Sequence, residues 1–320
     1  MSGIAQTDVA LAERIQELAK RKRAVILAHN YQIGPIQDVA DFVGDSLGLS
    51  QQAARTEADL IVFCGVHFMA ETASILCPDK TVLIPDLEAG CSLSDTLSFA
   101  QLKAWKEKYP DSVVVTYVNT TAVVKSISDY CCTSSNAVKV VQSIPKEKPV
   151  LFGPDMFLGA FVSRVTGRKN LHLWAGECHV HAAVRPDDVT KAREAHPGAD
   201  FLIHPECGCV TSCMVYLKDK DISQQDAYIK STEGMVKHVV QSPKKEFVVA
   251  TETGILHRMH KEAPEKAFYP VSADMECHYM KMITMEKLLR SLEEGVHEVK
   301  VPKEIADKAR VPIERMIAIS

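Results

Sequence analysis

Three cysteines close three similar segments of this chain. Cys91 ends T-V-L-I-P-D-L-E-A-G-C (81–91), Cys178 ends N-L-H-L-W-A-G-E-C (170–178) and Cys277 ends A-F-Y-P-V-S-A-D-M-E-C (267–277). Each is a short apolar run, a small or acidic loop and one thiol, and the three lie nearly a domain apart. Three thiolates brought to one point can hold an iron–sulfur cluster and leave one iron open to substrate. Cys207, Cys209 and Cys213 offer a second arrangement, because C-x-C-x3-C spacing lets two or three thiolates reach one ion. Zinc is the default ion for such a set, although no fourth ligand stands nearby. Of the ten cysteines, Cys64, Cys77, Cys131 and Cys132 read as small buried hydrophobes.

Titratable and polar groups stand at the ends of apolar runs. They are His29, Tyr31, Tyr117, Asn119, His181, His204 and Glu206. One histidine in such a place is an ordinary structural residue, whereas several titratable groups at matching positions point to an active site. His181 follows Cys178 by three residues, beside the expected thiol centre. Ser46, Ser134 and the Ser231–Thr232 pair each open a helical stretch. Plain N-capping accounts for most hydroxyls at such places. The functional alternative is anion binding, since free N–H groups and the helix dipole attract carboxylate and phosphate.

The elements that must position these groups recur about three times in the same order. Apolar runs at 24–31, 113–119 and 199–206 predict strands covered on both faces. Polar turns at 44–50, 132–136 and 230–235 follow, then second strands at 60–65, 150–155 and 247–252, then the cysteine segments. Helical stretches such as 47–55, 68–76 and 137–143 alternate with them, which predicts parallel sheets flanked by helices. The expected fold is α/β: three similar three-layer α/β/α units in a pseudo-threefold arrangement around a central site. The expected boundaries are an N-terminal helix (1–23), units at 24–105, 106–192 and 193–284, and C-terminal helices (285–320) separated by Gly295 and Pro302. The third unit carries an insert at about 207–227. Polar strand ends gather at one edge, where function collects in open parallel sheets.

A length of 320 residues suits two or three domains. A net charge of −4 gives no electrostatic basis for binding nucleic acid or an anionic membrane. No apolar stretch reaches membrane-span length, and the first 22 residues carry charges throughout, unlike a signal peptide. A cytoplasmic enzyme is expected, without a disulfide framework. Dinucleotide fingerprints, a Walker loop and a G-x-S-x-G elbow are all missing from the sequence.

The strings A-H-N-Y-Q (28–32), Y-V-N-T-T (117–121), C-T-S-S-N-A (132–137), G-P-D-M-F-L-G (153–159), H-P-E-C (204–207) and T-E-T-G-I-L-H-R-M (251–259) resemble the quinolinate synthase family over nearly the whole chain. The resemblance implies three homologous domains and a 4Fe–4S cluster at their meeting point, held by Cys91, Cys178 and Cys277. It implies condensation of iminoaspartate with dihydroxyacetone phosphate to quinolinate, phosphate and water, on the route to NAD. An L-aspartate oxidase is the implied supplier of iminoaspartate. By the same resemblance, His29, Tyr31, Tyr117, Asn119, His181, His204 and Glu206 match active-site positions, and Ser46, Ser134 and Thr232 match positions that hold carboxylate or phosphate. Longer members carry C-x-x-C-x-x-C ending at the third ligand. Here those positions are Val271, Asp274 and Cys277, so a thiol switch built on that run is not expected. The competing expectations are a zinc hydrolase using Cys207, Cys209 and Cys213, or an iron–sulfur redox sensor.

Overall fold

The structure is a computed structural model, and it describes residues 2–210 and 226–319. Among the described residues, twelve strands form three four-stranded sheets, all parallel. The first holds β1 (Ala24–His29), β2 (Phe42–Gly44), β3 (Leu60–Cys64) and β4 (Thr81–Leu83). The second holds β5 (Val113–Tyr117), β6 (Tyr130–Cys132), β7 (Val150–Gly153) and β8 (Leu171–Leu173). The third holds β9 (Asp200–Ile203), β10 (Ala227–Ile229), β11 (Glu246–Ala250) and β12 (Ala267–Pro270). In each sheet the spatial order is second, first, third, fourth strand.

The central strands are the Val-, Ile- and Leu-rich runs, buried because helices cover both faces. The second strand of each sheet has three residues and lies just before or within what the sequence presents as a polar turn, too short for periodicity to register. The repeat extends to single hydrogen bonds. Asp41 before β2 accepts from the Ile26 amide at 2.7 Å, and Asp129 before β6 accepts from the Val114 amide at 2.7 Å.

One apolar core runs through the first two units and the C-terminal helices, while the third unit packs separate clusters on the two faces of its sheet. The helix Lys303–Ala318 fastens the first two units together. Asn136 Nδ2 donates to the carbonyls of Met316 (2.8 Å) and Ile319 (2.9 Å), and Arg310 reaches the Leu76 carbonyl. The helices Ser2–Arg21 and Met285–Glu294 pack together against the first unit. Among the described residues, no helix is long and apolar enough to cross a membrane.

Candidate active site

The carboxyl ends of the first strands of all three sheets open on one pocket. The first unit supplies His29, Tyr31, Ser46 and Cys91. The second supplies Tyr117, Asn119, Ser134, Cys178 and His181, and the third His204, Glu206, Thr232 and Cys277. The strand-end groups, the pocket-facing hydroxyls Ser46, Ser134 and Thr232, and the three spaced cysteines named from the sequence therefore all line the same cavity, of about 680 Å³, whereas Ser231, Cys207 and Cys209 do not. Val66, Phe68, Met69 and Met280 form an apolar wall of it.

The three cysteines occupy equivalent positions. Each is the residue before a four-residue helix: Ser92–Asp95 after Cys91, His179–Ala182 after Cys178, and His278–Lys281 after Cys277. The N–H groups of the second and third helical residues face each sulfur: Leu93 and Ser94, Val180 and His181, Tyr279 and Met280. Such donors favour the thiolate, the form that binds metal. Burial acts against them. It pushes the Cys91 thiol up to about 12 and raises Cys178 and Cys277 as well, and nearby negative charge adds to this: Cys277 against Cys91, Glu206 and Cys91 against Cys178, and Glu252 against Cys277. All three are unbridged and keep some accessible surface, unlike the fully buried Cys64, Cys131, Cys132, Cys207 and Cys209. A donor set of largely buried sulfurs at the pocket wall, each met by two N–H groups, fits a cationic centre. Cys178 Sγ, His181 and Glu206 also lie within 4.8 Å of one another and could hold a single ion.

Glu206 sits at the middle of the polar groups. Tyr117 donates its phenol O–H to Glu206 Oε1, His181 Nδ1 lies 3.5 Å from Oε2, and His204 Nδ1 lies 3.7 Å from Oε1. Burial raises the Glu206 carboxyl to about 7, against the stabilising hydrogen bond from Tyr117. Burial, helped by the nearby Lys281 charge, lowers His29 to about 3; burial with His179 nearby lowers His181 to about 3, and His204 is held well below its ordinary range. The imidazoles are therefore neutral at physiological pH, and the one group poised to exchange a proton there is a carboxyl.

Backbone position shows which of these residues cap their helices. The cap of the helix Ser46–Arg55 is Asp45, whose carboxylate accepts from Gly48 N at 2.8 Å, and the cap of Thr232–Gln241 is Ser231, accepting from Gly234 N at 3.2 Å. Ser46 and Thr232 each stand one residue later, relieved of capping and facing the pocket. Ser134 precedes its helix, Ala137–Ser143, and its hydroxyl lies 3.2 Å from His204 Nε2. Asn119 Oδ1 is buried without a hydrogen-bond partner among the described residues. A buried polar atom left unpaired inside a cavity is costly, so it points to a ligand.

Several site residues were not singled out from the sequence. The Thr251 hydroxyl bridges Tyr31 OH (2.6 Å) and His181 Nε2 (2.9 Å), joining the three units at one atom. Glu252 accepts from Cys277 N (3.1 Å) and Gly254 N (2.7 Å) and pairs with Lys281 Nζ (2.7 Å), which also reaches the Tyr31 carbonyl. Both follow β11 in the T-E-T-G string, so matching their place to the other strand ends would have found them. The buried Cys207 and Cys209 pack in a core of the third unit; Cys213, the remaining member of that proposed zinc set, lies outside the described residues.

Three parallel α/β sheets meeting at a pocket of thiols, imidazoles and a carboxyl define an enzyme whose donors could hold a metal. The profile of the family described as "NadA: Quinolinate synthetase A protein" matches residues 13–318. The chain is 58% identical over 310 residues to a quinolinate synthase of Thermus thermophilus, covering 97% of each. It is 52% identical over 306 residues to one from Pyrobaculum aerophilum (96% of this chain, 98% of the relative). A quinolinate synthase of Mycobacterium tuberculosis is 54% identical over 312 residues (98% and 89%). The chain belongs to the quinolinate synthase family, enzymes of NAD biosynthesis.

Proposed function

We propose that this chain condenses iminoaspartate with dihydroxyacetone phosphate to quinolinate, phosphate and water, with a 4Fe–4S cluster held by Cys91, Cys178 and Cys277. The observation that carries the reading is the convergence of one equivalent cysteine from each unit on a single pocket that also holds Glu206. When bound, the cluster supplies a Lewis-acidic iron with an exchangeable position.

The protein's own residues do the rest. Both substrates are anionic, and the N–H groups and hydroxyls at Ser46, Ser134 and Thr232 replace the water their charges lose. Asn119 Oδ1 accepts from a substrate N–H or O–H. Glu206, raised to about 7 by burial, takes and returns protons during isomerisation, imine formation and dehydration. Tyr31 and Tyr117 orient the phosphate-bearing substrate and its carbonyl. Thr251 fixes Tyr31 relative to His181. The neutral His29, His181 and His204 serve as hydrogen-bond partners that orient substrate and Glu206 without adding fixed charge. Val66, Phe68, Met69 and Met280 keep bulk water from these polar contacts and so strengthen them.

The enzyme works in the cytoplasm, supplied with iminoaspartate by an L-aspartate oxidase. Anaerobic reconstitution with iron and sulfide, followed by mixing with the two substrates, should yield quinolinate. Turnover by a fully iron-free sample, or an iron-loaded sample that makes no quinolinate, would sink the reading. Among the described residues, no observation favours a zinc hydrolase built on Cys207 and Cys209, or a redox sensor.

A further inference from the structure

Asn30 lies between His29 and Tyr31, is fully buried, and sends its side chain across to the third unit. Its Oδ1 accepts from Arg258 Nη1 at 2.9 Å, and its Nδ2 donates to Thr232 Oγ1 at 3.0 Å. An arginine has only donors, so the atom facing Arg258 must be the amide oxygen. The amide nitrogen must then face Thr232. The amide orientation, which elsewhere is a choice between two similar fits, is fixed here by charge. Gln37 holds the backbone from below, donating to the carbonyls of Asn30 (3.1 Å), Gln32 (2.8 Å) and Gly254 (2.8 Å).

The consequence falls on Thr232. Its oxygen already accepts from Asn30, and no acceptor for its own O–H stands within hydrogen-bond distance among the described residues. The capping duty belongs to Ser231. The remaining direction for the Thr232 proton is the pocket it lines. We propose that Arg258 and Asn30 form a directed donor chain, Arg258 to Asn30 to Thr232, whose output is one O–H aimed at an anionic oxygen of substrate. Arg258 and Asn30 are positioning residues: neither touches substrate, and each sets the polarity of the group that does. Arg258 is held in place by Glu233 (2.9 Å) and Glu262 (2.6 Å), so its fork is set before any ligand arrives. Successive donors polarise one another, and the Arg258 charge at the head of the chain strengthens the last O–H.

The chain rests on Thr232 holding an anionic oxygen, and phosphate and carboxylate share that chemistry. The test uses the cluster-loaded, full-length enzyme under argon, with inorganic phosphate and pyridine-2,3-dicarboxylate as separate binding probes. Thr232→Val, Arg258→Gln and Asn30→Asp should each weaken the same one of the two probes, on the order of tenfold, and leave the other nearly unchanged. Whichever probe is weakened names the group. Asn30→Asp keeps the size of the side chain and its contact with Arg258, but its second oxygen can only accept, so Thr232 must turn its proton inward. Arg258→Lys, which can still donate to Asn30, should recover part of the loss. In the Thr232→Val background, Arg258→Gln should add nothing, and KM for the matching substrate should rise more than kcat falls.

A full additive loss in the double variant would show that Arg258 acts only by holding the helix through Glu233, and would overturn the chain. So would Arg258→Gln and Asn30→Asp leaving both probes unchanged while Thr232→Val weakens one. Unchanged binding of both probes by Thr232→Val would remove the underlying role of Thr232 instead.

Discussion

Replacing Glu206 by Gln preserves an acceptor for the Tyr117 phenol but removes the proton exchanged near neutral pH. Glu206→Gln should therefore bind iron and show the cluster's absorption while losing quinolinate formation by at least about a hundredfold, the usual scale of general acid–base catalysis. Ordinary turnover by the variant would reject Glu206 as the proton carrier. The same carboxyl leaves a mark on stability. Its folded-state value of about 7 exceeds the ordinary carboxyl value of 4.5, so the folded chain binds this proton more tightly. That contribution is complete below about pH 4.5 and is lost as pH rises to 7. His29 and His181 run the other way. Lowered from 6.5 to about 3, they contribute stability above pH 6.5 that is lost as pH falls toward 3. Between pH 5 and 6, each group bends the curve by about 1.4 kcal/mol per pH unit, Glu206 downward and each histidine upward with rising pH. Urea unfolding of the cluster-free chain should find Glu206→Gln gaining on the parent from pH 5 to 7, and a flat difference would contradict the raised carboxyl. His29→Asn should flatten the acid limb of the same curve.

Helix starts separate the side chains that cap from the hydroxyls that face the pocket. Asp45 both caps the helix Ser46–Arg55 and accepts from Ser135 Oγ of the second unit at 2.6 Å. Asp45→Ala should cost about 1–2 kcal/mol in chemical denaturation. Ser46→Ala, one residue on, removes no cap and should leave stability within about 0.5 kcal/mol while raising KM. Equal destabilisation by the two would return Ser46 to a structural role. Gly167 ends the helix Met156–Thr166 at φ +66° with open space where a Cβ would lie, so Gly167→Ala should cost only the left-handed backbone, about 1 kcal/mol.

At the level of the assembled chain, the pocket exists only because three sheets meet. Gly254 shows how closely: a Cβ there would lie 2.8 Å from the backbone of Tyr31 in the first unit. Gly254→Ala should push that loop off the third unit, raising KM and lowering iron retention while each sheet stays folded by circular dichroism. Cys91→Ser, Cys178→Ser and Cys277→Ser should each lose the cluster, measured as iron and sulfide per chain. Full retention in any one of them would remove that cysteine from the ligand set.

The chain's own order of residues determined the two central-strand types, the repeat and the thiol triad. Buried parallel strands demand long apolar runs, and a short-range pattern of that kind survives in one dimension. Polar groups placed just past each run marked His29, Tyr117, His204 and Glu206 for the same reason. The three-residue strands β2, β6 and β10 were invisible because their pairing energy comes from a neighbour, not from their own periodicity. Which of two adjacent residues caps each helix, Asp45 and Ser231 rather than Ser46 and Thr232, is a local choice made over three residues that the tertiary structure displayed. Only the tertiary structure joined Thr251 to Tyr31 and His181, and turned Asn30 toward Thr232. These last choices depend on distances between residues as many as 220 positions apart, and on the burial that moves Glu206 and the histidines from their ordinary proton affinities. Desolvation and hydrogen-bond direction are properties of the packed pocket, so no stretch of sequence contains them.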